Sequence, residues 1–186
     1  MDTLSRESDS TAMRRLMLLR HAKTERAEPG DRDRDRKLTK RGRADAPTLG
    51  AYIAHHDLTP DLALVSPAAR AQETWDLLAD AFAKPPRTET DDRIYNASPN
   101  RLLQVAAEPR RANKLFIVGH NPSLHEFALQ LIASGDVEAR EQLREKLPTS
   151  GLVVMDLPID DWAELRPHSA RLERFVTPRL IAAAAE

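Results

Sequence analysis

Residues 16–24 read Leu-Met-Leu-Leu-Arg-His-Ala-Lys-Thr, an apolar run that stops at Arg20-His21. A second run, Leu115-Phe-Ile-Val118, stops the same way at Gly119-His120-Asn121, and a third, Leu62-Ala-Leu-Val65, leads into Ser66-Pro-Ala-Ala-Arg70. Each run has the character of a buried parallel strand, and in α/β sheets ligands bind beyond the carboxyl ends of strands. Three strand ends therefore offer Arg20 with His21, Arg70, and His120. Planar guanidinium groups match phosphoryl oxygens bidentately, and the helix N-termini that follow such strands add free N–H donors and positive potential. The implied ligand is a phosphoryl group, neutralised without a metal ion. One imidazole can attack phosphorus and carry a phosphohistidine intermediate, and nearby arginines keep such a ring neutral. Arg20, Arg70 and a protonated His120 can stabilise the charge that in-line transfer develops on the equatorial oxygens. A poor leaving group also needs a proton. Asp91 and Asp92, ahead of Arg93-Ile94-Tyr95, are the carboxylates placed between central elements to supply it.

These side chains need an alternating α/β framework to meet, and strand and helix signals do alternate. The spacing predicts strands at 16–19, 62–65 and 115–118. A helix is expected from Thr39 through His55, and another after Ser66-Pro67, with Ser66 as N-cap and Pro67 in the first turn. A third follows Asn121-Pro122, and a short one covers 100–107. Leu152–Leu157 reads as a strand, 161–165 with 171–176 as a hairpin, and 182–185 as a frayed tail. Asp31–Lys37 alternates acid and base. It is either a solvated loop or a mobile rim beside His21 that helps to select substrate. His55, His56, His125 and His168 lack a partner at useful spacing and read as structural, and Trp75 and Trp162 as packing.

Composition narrows the classes further. The chain has 186 residues, enough for one domain with a substantial core. It holds 28 basic and 29 acidic residues, a net charge of −1, which gives nucleic acid or an anionic membrane nothing general to bind. The absence of cysteine excludes disulfides, thiol catalysis and thiolate metal sites. No apolar stretch is long enough for a membrane helix. The first 14 residues lack the apolar centre of a signal peptide and are expected to form a disordered extension. The expectation is a cytoplasmic protein whose domain spans 15–180, with 181–186 as its tail; the oligomeric state stays open.

Together these motifs resemble the histidine phosphatase superfamily, the branch related to phosphoglycerate mutases and acid phosphatases. The family's Arg-His-Gly signature stands here as Arg20-His21-Ala22, a replacement similar to that of the SixA-like subgroup. Further matches are Leu38-Thr39-x-x-Gly42, Ser66-Pro67-x-x-Arg70-x-x-x-Thr74, Gly119-His120-Asn121-Pro122 and Phe175-Val176-x-Pro178-x-Leu180. The resemblance implies a three-layer α/β/α sandwich with a mostly parallel central sheet, phosphoglycerate mutase-like, plus a C-terminal β-hairpin. It implies that His21 is the phosphorylated nucleophile, that Arg20 and Arg70 grip the phosphoryl oxygens, and that His120 completes the pocket. Thr24 and Asn121 would lie at the rim as substrate-binding residues, with no metal and no cofactor. The family's acidic donor falls in a segment resembling Glu-Arg-x-Tyr, here Asp92-Arg93-Ile94-Tyr95, which favours Asp92 over Asp91. The implied activity is a metal-independent phosphatase acting on protein phosphohistidine or a small phosphorylated compound. The chain is short between Thr74 and Lys114, where mutase members carry enclosing insertions, so an open pocket is expected. The alternatives are a phosphate- or phosphopeptide-binding module without turnover, and a small-molecule phosphomonoesterase or mutase.

Overall fold

The computed structural model describes residues 12–186. The elements run β1 (Arg14–Arg20), α1 (Lys40–His55), β2 (Leu62–Val65), α2 (Ala69–Ala79), β3 (Arg87–Thr90), α3 (Pro99–Ala106), β4 (Lys114–Gly119), α4 (Ser123–Leu131), β5 (Ile132–Gly135), α5 (Val137–Glu145), β6 (Leu152–Leu157), β7 (Ala170–Val176) and α6 (Pro178–Ala184). The strands form one sheet in the order β3-β2-β4-β1-β6-β7-β5. Only β6 runs against the others, antiparallel to both β1 and β7. The sheet is therefore mostly parallel, and β6 with β7 forms the antiparallel C-terminal pair.

Both faces of the sheet are covered, which explains the unbroken apolar runs. Side chains alternate strictly along the central strands. Leu16 and Leu18 of β1, with Leu115 and Ile117 of β4, enter the core under α3, α4 and α5. Met17 and Leu19, with Phe116 and Val118, enter the opposite core under α1 and α2. Trp75 is buried in the α2 core and Trp162 in the other, where its indole N–H donates to the Ala112 carbonyl at 2.7 Å.

Several local expectations are corrected. The helix after Ser66-Pro67 opens at Ala69, and its cap position, Ala68, carries no side-chain acceptor. Ser66 is engaged elsewhere, as described below. Residues 161–165 form a 3-10 turn rather than a strand, because Asp161 and Glu164 close a capping box around buried Trp162. The hairpin partner of β7 is β6. Of the tail expected at 181–186, residues 181–184 belong to α6, where Ile181 packs on the core and the N-cap Thr177 accepts from Leu180 N. Of the expected N-terminal extension, residues 1–11 lie outside the described residues and Arg14 already opens β1. The edge strands β3 and β5 and the helix α5 had no apolar run to announce them. No helix among the described residues is long and apolar enough to cross a membrane.

The contact that matters most for the site joins α1 to the loop after β1. Thr39 caps α1 by accepting from Gly42 N at 3.0 Å, while its own N–H and hydroxyl both donate to the Lys23 carbonyl. Gly42 permits this approach, because a Cβ there would stand 2.3 Å from Lys23 O. Gly42→Ala gains helix propensity but must push backbone apart. The expected net loss is about 2 kcal/mol, a fall in Tm of roughly 4–8 °C for a domain of this size. An unchanged Tm in calorimetry would contradict this packing.

Candidate active site

Strands β2, β4 and β1 are parallel neighbours, so their carboxyl ends share one edge. The register aligns Arg20 with Gly119, and both Val65 and Leu19 with Val118. His21 N donates to Gly119 O and Ser66 N to Val118 O, so the three chain segments leave the sheet side by side. Antiparallel β6 brings its amino end to the same place. There Ser150 N donates to the Arg20 and His21 carbonyls, and Ser150 takes a left-handed conformation with φ +59°.

On this edge the rings of His21 and His120 stand 5.3 Å apart between centroids. Both lie in a region that also holds the buried Arg70 and the half-buried Arg20. His21 Nδ1 lies 2.8 Å from the Ala22 carbonyl. A carbonyl only accepts, so Nδ1 carries the proton and Nε2 keeps its lone pair. The Ala22 N–H donates to Thr74 Oγ1, whose hydroxyl donates to Arg70 O, tying the His21 loop to α2. His120 Nε2 is 2.7 Å from Ser66 Oγ. Ser66 is fully buried, and its Oγ both meets the second histidine and accepts from Ala68 N at 3.3 Å, one residue before α2 opens. Arg20 and Asn121 both donate to the Leu147 carbonyl, at 3.1 and 2.8 Å. Among the described residues, Arg20 Nε, Arg70 Nε, His120 Nδ1, Asn121 Oδ1 and Ser150 Oγ are buried without a partner. So many unmatched polar atoms around two imidazoles fit a site that takes a polar ligand.

The electrostatics follow from burial among cations. Burial, reinforced by His120, Arg70 and Arg20, lowers the His21 pKa to about 3. Burial and the two arginines lower that of His120 to about 4, with Asp33 opposing them. Both rings are neutral at physiological pH, so the protonated His120 expected from the sequence does not hold in this arrangement.

Asp33 is the residue that sequence reasoning passed over. It lies in the alternating-charge loop, in a 3-10 turn at Asp33–Asp35. Arg70 donates to its carbonyl at 2.7 Å and to its carboxylate at 3.1 Å, and Tyr95 O–H donates to the same carboxylate at 2.5 Å. These donors, Tyr95 first, lower the Asp33 pKa to about 2. The loop, otherwise largely exposed, thus reaches the site through Asp33, with the Arg34 guanidinium over the Tyr95 ring at 5.2 Å. Tyr95 also meets His120 edge-on at 5.7 Å. Its place beside Arg93 was legible, but its partner 62 residues away was not. Ser66 read as a helix cap rather than a partner of His120, and nothing in the sequence singled out Ser150.

The other expected residues sit further out. Thr24 is half-buried and forms a one-residue antiparallel bridge with Leu38. Asp91 is consumed by Arg93, to which it pairs at 2.7 Å. Asp92 is exposed and makes no ion pair among the described residues. His125 contacts the Leu143 carbonyl, His56 stacks on Tyr52, and His168 occupies a turn at φ +55°.

Comparison with known proteins agrees with this geometry. The model of the histidine phosphatase superfamily (branch 1) matches residues 16–98. An uncharacterized protein of Mycobacterium tuberculosis is 32% identical over 164 residues, covering 87% of this chain and all of the relative. The crystal structure of a candidate phosphohistidine phosphatase SixA from Agrobacterium tumefaciens is 33% identical, with a TM-score of 0.76 over 89% of this chain and 98% of that one. A candidate SixA from Nakamurella multipartitia superposes with a TM-score of 0.79 at 25% identity, over 91% and 99% of the two chains. With its two histidines and two arginines gathered at one sheet edge, the chain belongs to the histidine phosphatase superfamily and is SixA-like within it.

Proposed function

We propose that the protein is a metal-independent phosphatase that works through a phosphohistidine on His21, with protein phosphohistidine as its substrate. The observation that carries this reading is the bond from His21 Nδ1 to the Ala22 carbonyl, which leaves Nε2 as a neutral nucleophile beside a second imidazole and two guanidinium groups. In the first step Nε2 forms a bond to phosphorus as the bond to the leaving group breaks. Arg20 and Arg70 offset charge on the equatorial oxygens, and the arriving dianion draws a proton to His120. Water then attacks the phosphohistidine, releasing inorganic phosphate and restoring His21. A departing imidazole makes small demands on an acid, whereas an alkoxide needs one. Asp92 is assigned that role, and Thr24 and Asn121 the rim. The open edge, without an insertion between Thr74 and Lys114, suits a side chain presented on a protein surface. The exposure of Asp92 is the one feature that favours a binding module without turnover; vanadate binding with no hydrolysis of any phosphoester or phosphoramidate would establish that reading instead.

His21→Ala is expected to abolish hydrolysis and the acid-labile phosphoenzyme, while EDTA leaves the wild type active; undiminished turnover in the variant ends the proposal. Asp92→Asn should lower kcat/KM for alkyl phosphates about 100-fold while barely changing it for phosphoramidates. Equal losses on both would remove Asp92 as donor. Arg70→Lys should cost roughly 100-fold, because a point ammonium cannot replace the planar fork; near-normal kinetics would take Arg70 out of phosphoryl binding.

Stability should report the two histidines directly. Unfolded imidazoles bind protons near pH 6.5, whereas the folded ones resist until about 3 and about 4. Between those limits the unfolded chain holds more protons, so stability rises with pH through that window and is complete above it. Thermal midpoints should climb between about pH 4.5 and 6.5, with a shallower climb in His21→Asn. Identical slopes in the two proteins would mean that His21 is not buried as a neutral ring.

A further inference from the structure

Arg20 has a second environment that phosphoryl binding does not use. It forms one wall of a cleft of about 450 Å³ whose other charged lining residues are Lys23, Arg41, Lys146 and Arg179, with Asp45 as the single carboxylate. The cleft therefore carries a formal excess of four positive charges on a chain whose net charge is −1. These cations are poorly compensated. Arg41 reaches Asp45 only at 3.8 Å with its side chain 71% exposed. Lys23, Lys146 and Arg179 make no ion pair among the described residues. The first turn of α1 holds no acidic residue and opens with Lys40-Arg41. A helix N-terminus is itself positive and favours carboxylates, so cations there work against local stability. Such violations of a local rule mark functional positions.

We propose that this cleft docks acidic side chains flanking the phosphorylated residue of a polypeptide substrate. The proposal rests on the reading that the substrate is a phosphorylated protein. Charge complementarity of this kind steers association and selects partners more than it adds raw affinity. The cations come from four separate segments: the end of β1 and the loop after it, the start of α1, the loop before β6 and the start of α6. That spacing fits a row of carboxylates along a chain better than one compact anion, which converging forks would grip. Because Arg20 belongs to both places, an acidic segment in the cleft lies next to the phosphoryl group.

The test uses the full chain and two phosphohistidine peptides that differ only in flanking Asp/Glu against Asn/Gln. The wild type should prefer the acidic peptide about tenfold in kcat/KM at low salt, and added salt should erode that preference. Lys146→Glu with Arg179→Glu should abolish it, and Lys146→Gln with Arg179→Gln should weaken it. Turnover of a small phosphoramidate should stay unchanged in both double variants, which also shows that they fold. Equal kcat/KM for the two peptides in the wild type, or a preference that survives charge reversal, overturns the proposal. So does a larger effect of the variants on a small bisphosphorylated compound than on the peptide. If neither phosphopeptide is hydrolysed while the phosphoramidate is, protein phosphohistidine fails as the substrate class. Fluorescence anisotropy of the unphosphorylated peptides then reads the cleft alone. Tighter binding of the acidic one to the wild type, lost in the charge-reversed variant, supports the docking site; equal binding overturns it.

Discussion

A histidine buried beside arginines is held neutral, and the contacts around it fix which ring nitrogen carries the proton. Burial and repulsion from His120, Arg70 and Arg20 disfavour the imidazolium of His21. Neutrality alone leaves two tautomers; the Ala22 carbonyl selects the one with the proton on Nδ1. The Ala22 position is fixed in turn by its N–H to Thr74, and the hydroxyl of Thr74 by the Arg70 carbonyl. One hydroxyl thus links Ala22, the residue whose carbonyl orients the imidazole, to the helix that carries the guanidinium. The docking of α1 on Lys23, through Thr39 and the missing Cβ of Gly42, supports the same loop from the other side.

The charged loop between β1 and α1 has a divided character. Most of its residues are exposed ions in alternation, for which salt bridges contribute little. Asp33 differs because its carboxylate faces the nearly buried Arg70, whose side chain is 7% exposed. Two terminal nitrogens of Arg70 thereby find partners within the loop, while Nε remains unmatched. Asp33 also raises the His120 pKa against the arginines. A carboxylate at the mouth of a cationic site moderates the field inside it, and here the moderating charge comes from a segment that composition alone would describe as solvent-exposed.

Much of the framework was legible from residues 16–19, 62–65 and 115–118, because a sheet covered on both faces demands continuous apolar strands. The edge strands escaped for the complementary reason. All four residues of β3, Arg-Thr-Glu-Thr, are exposed, and a charged edge protects a sheet from unwanted pairing, so its pattern resembles a loop. Ser66-Pro67 looked like a helix start because capping is a local rule; the serine instead answers to His120, 54 residues on. Asp161–Leu165 looked extended until its capping box and buried tryptophan turned it. Ser66 and Trp162 each answer to a partner about fifty residues away, His120 and the Ala112 carbonyl, which a window of ten residues could not contain.

By itself, the sequence determined the chemistry that is available: two imidazoles and two guanidinium groups at the ends of apolar runs, with no thiol and no net cationic excess. It also marked these short unbroken apolar runs as candidates for strands covered on both faces. Only the tertiary structure decided the tautomer of His21, the neutrality of His120, the recruitment of Asp33 and Tyr95, and the convergence of unpaired cations beside Arg20. Those properties depend on dielectric surroundings and on contacts between segments dozens of residues apart. A linear pattern names the groups, but the fold sets the field in which they titrate.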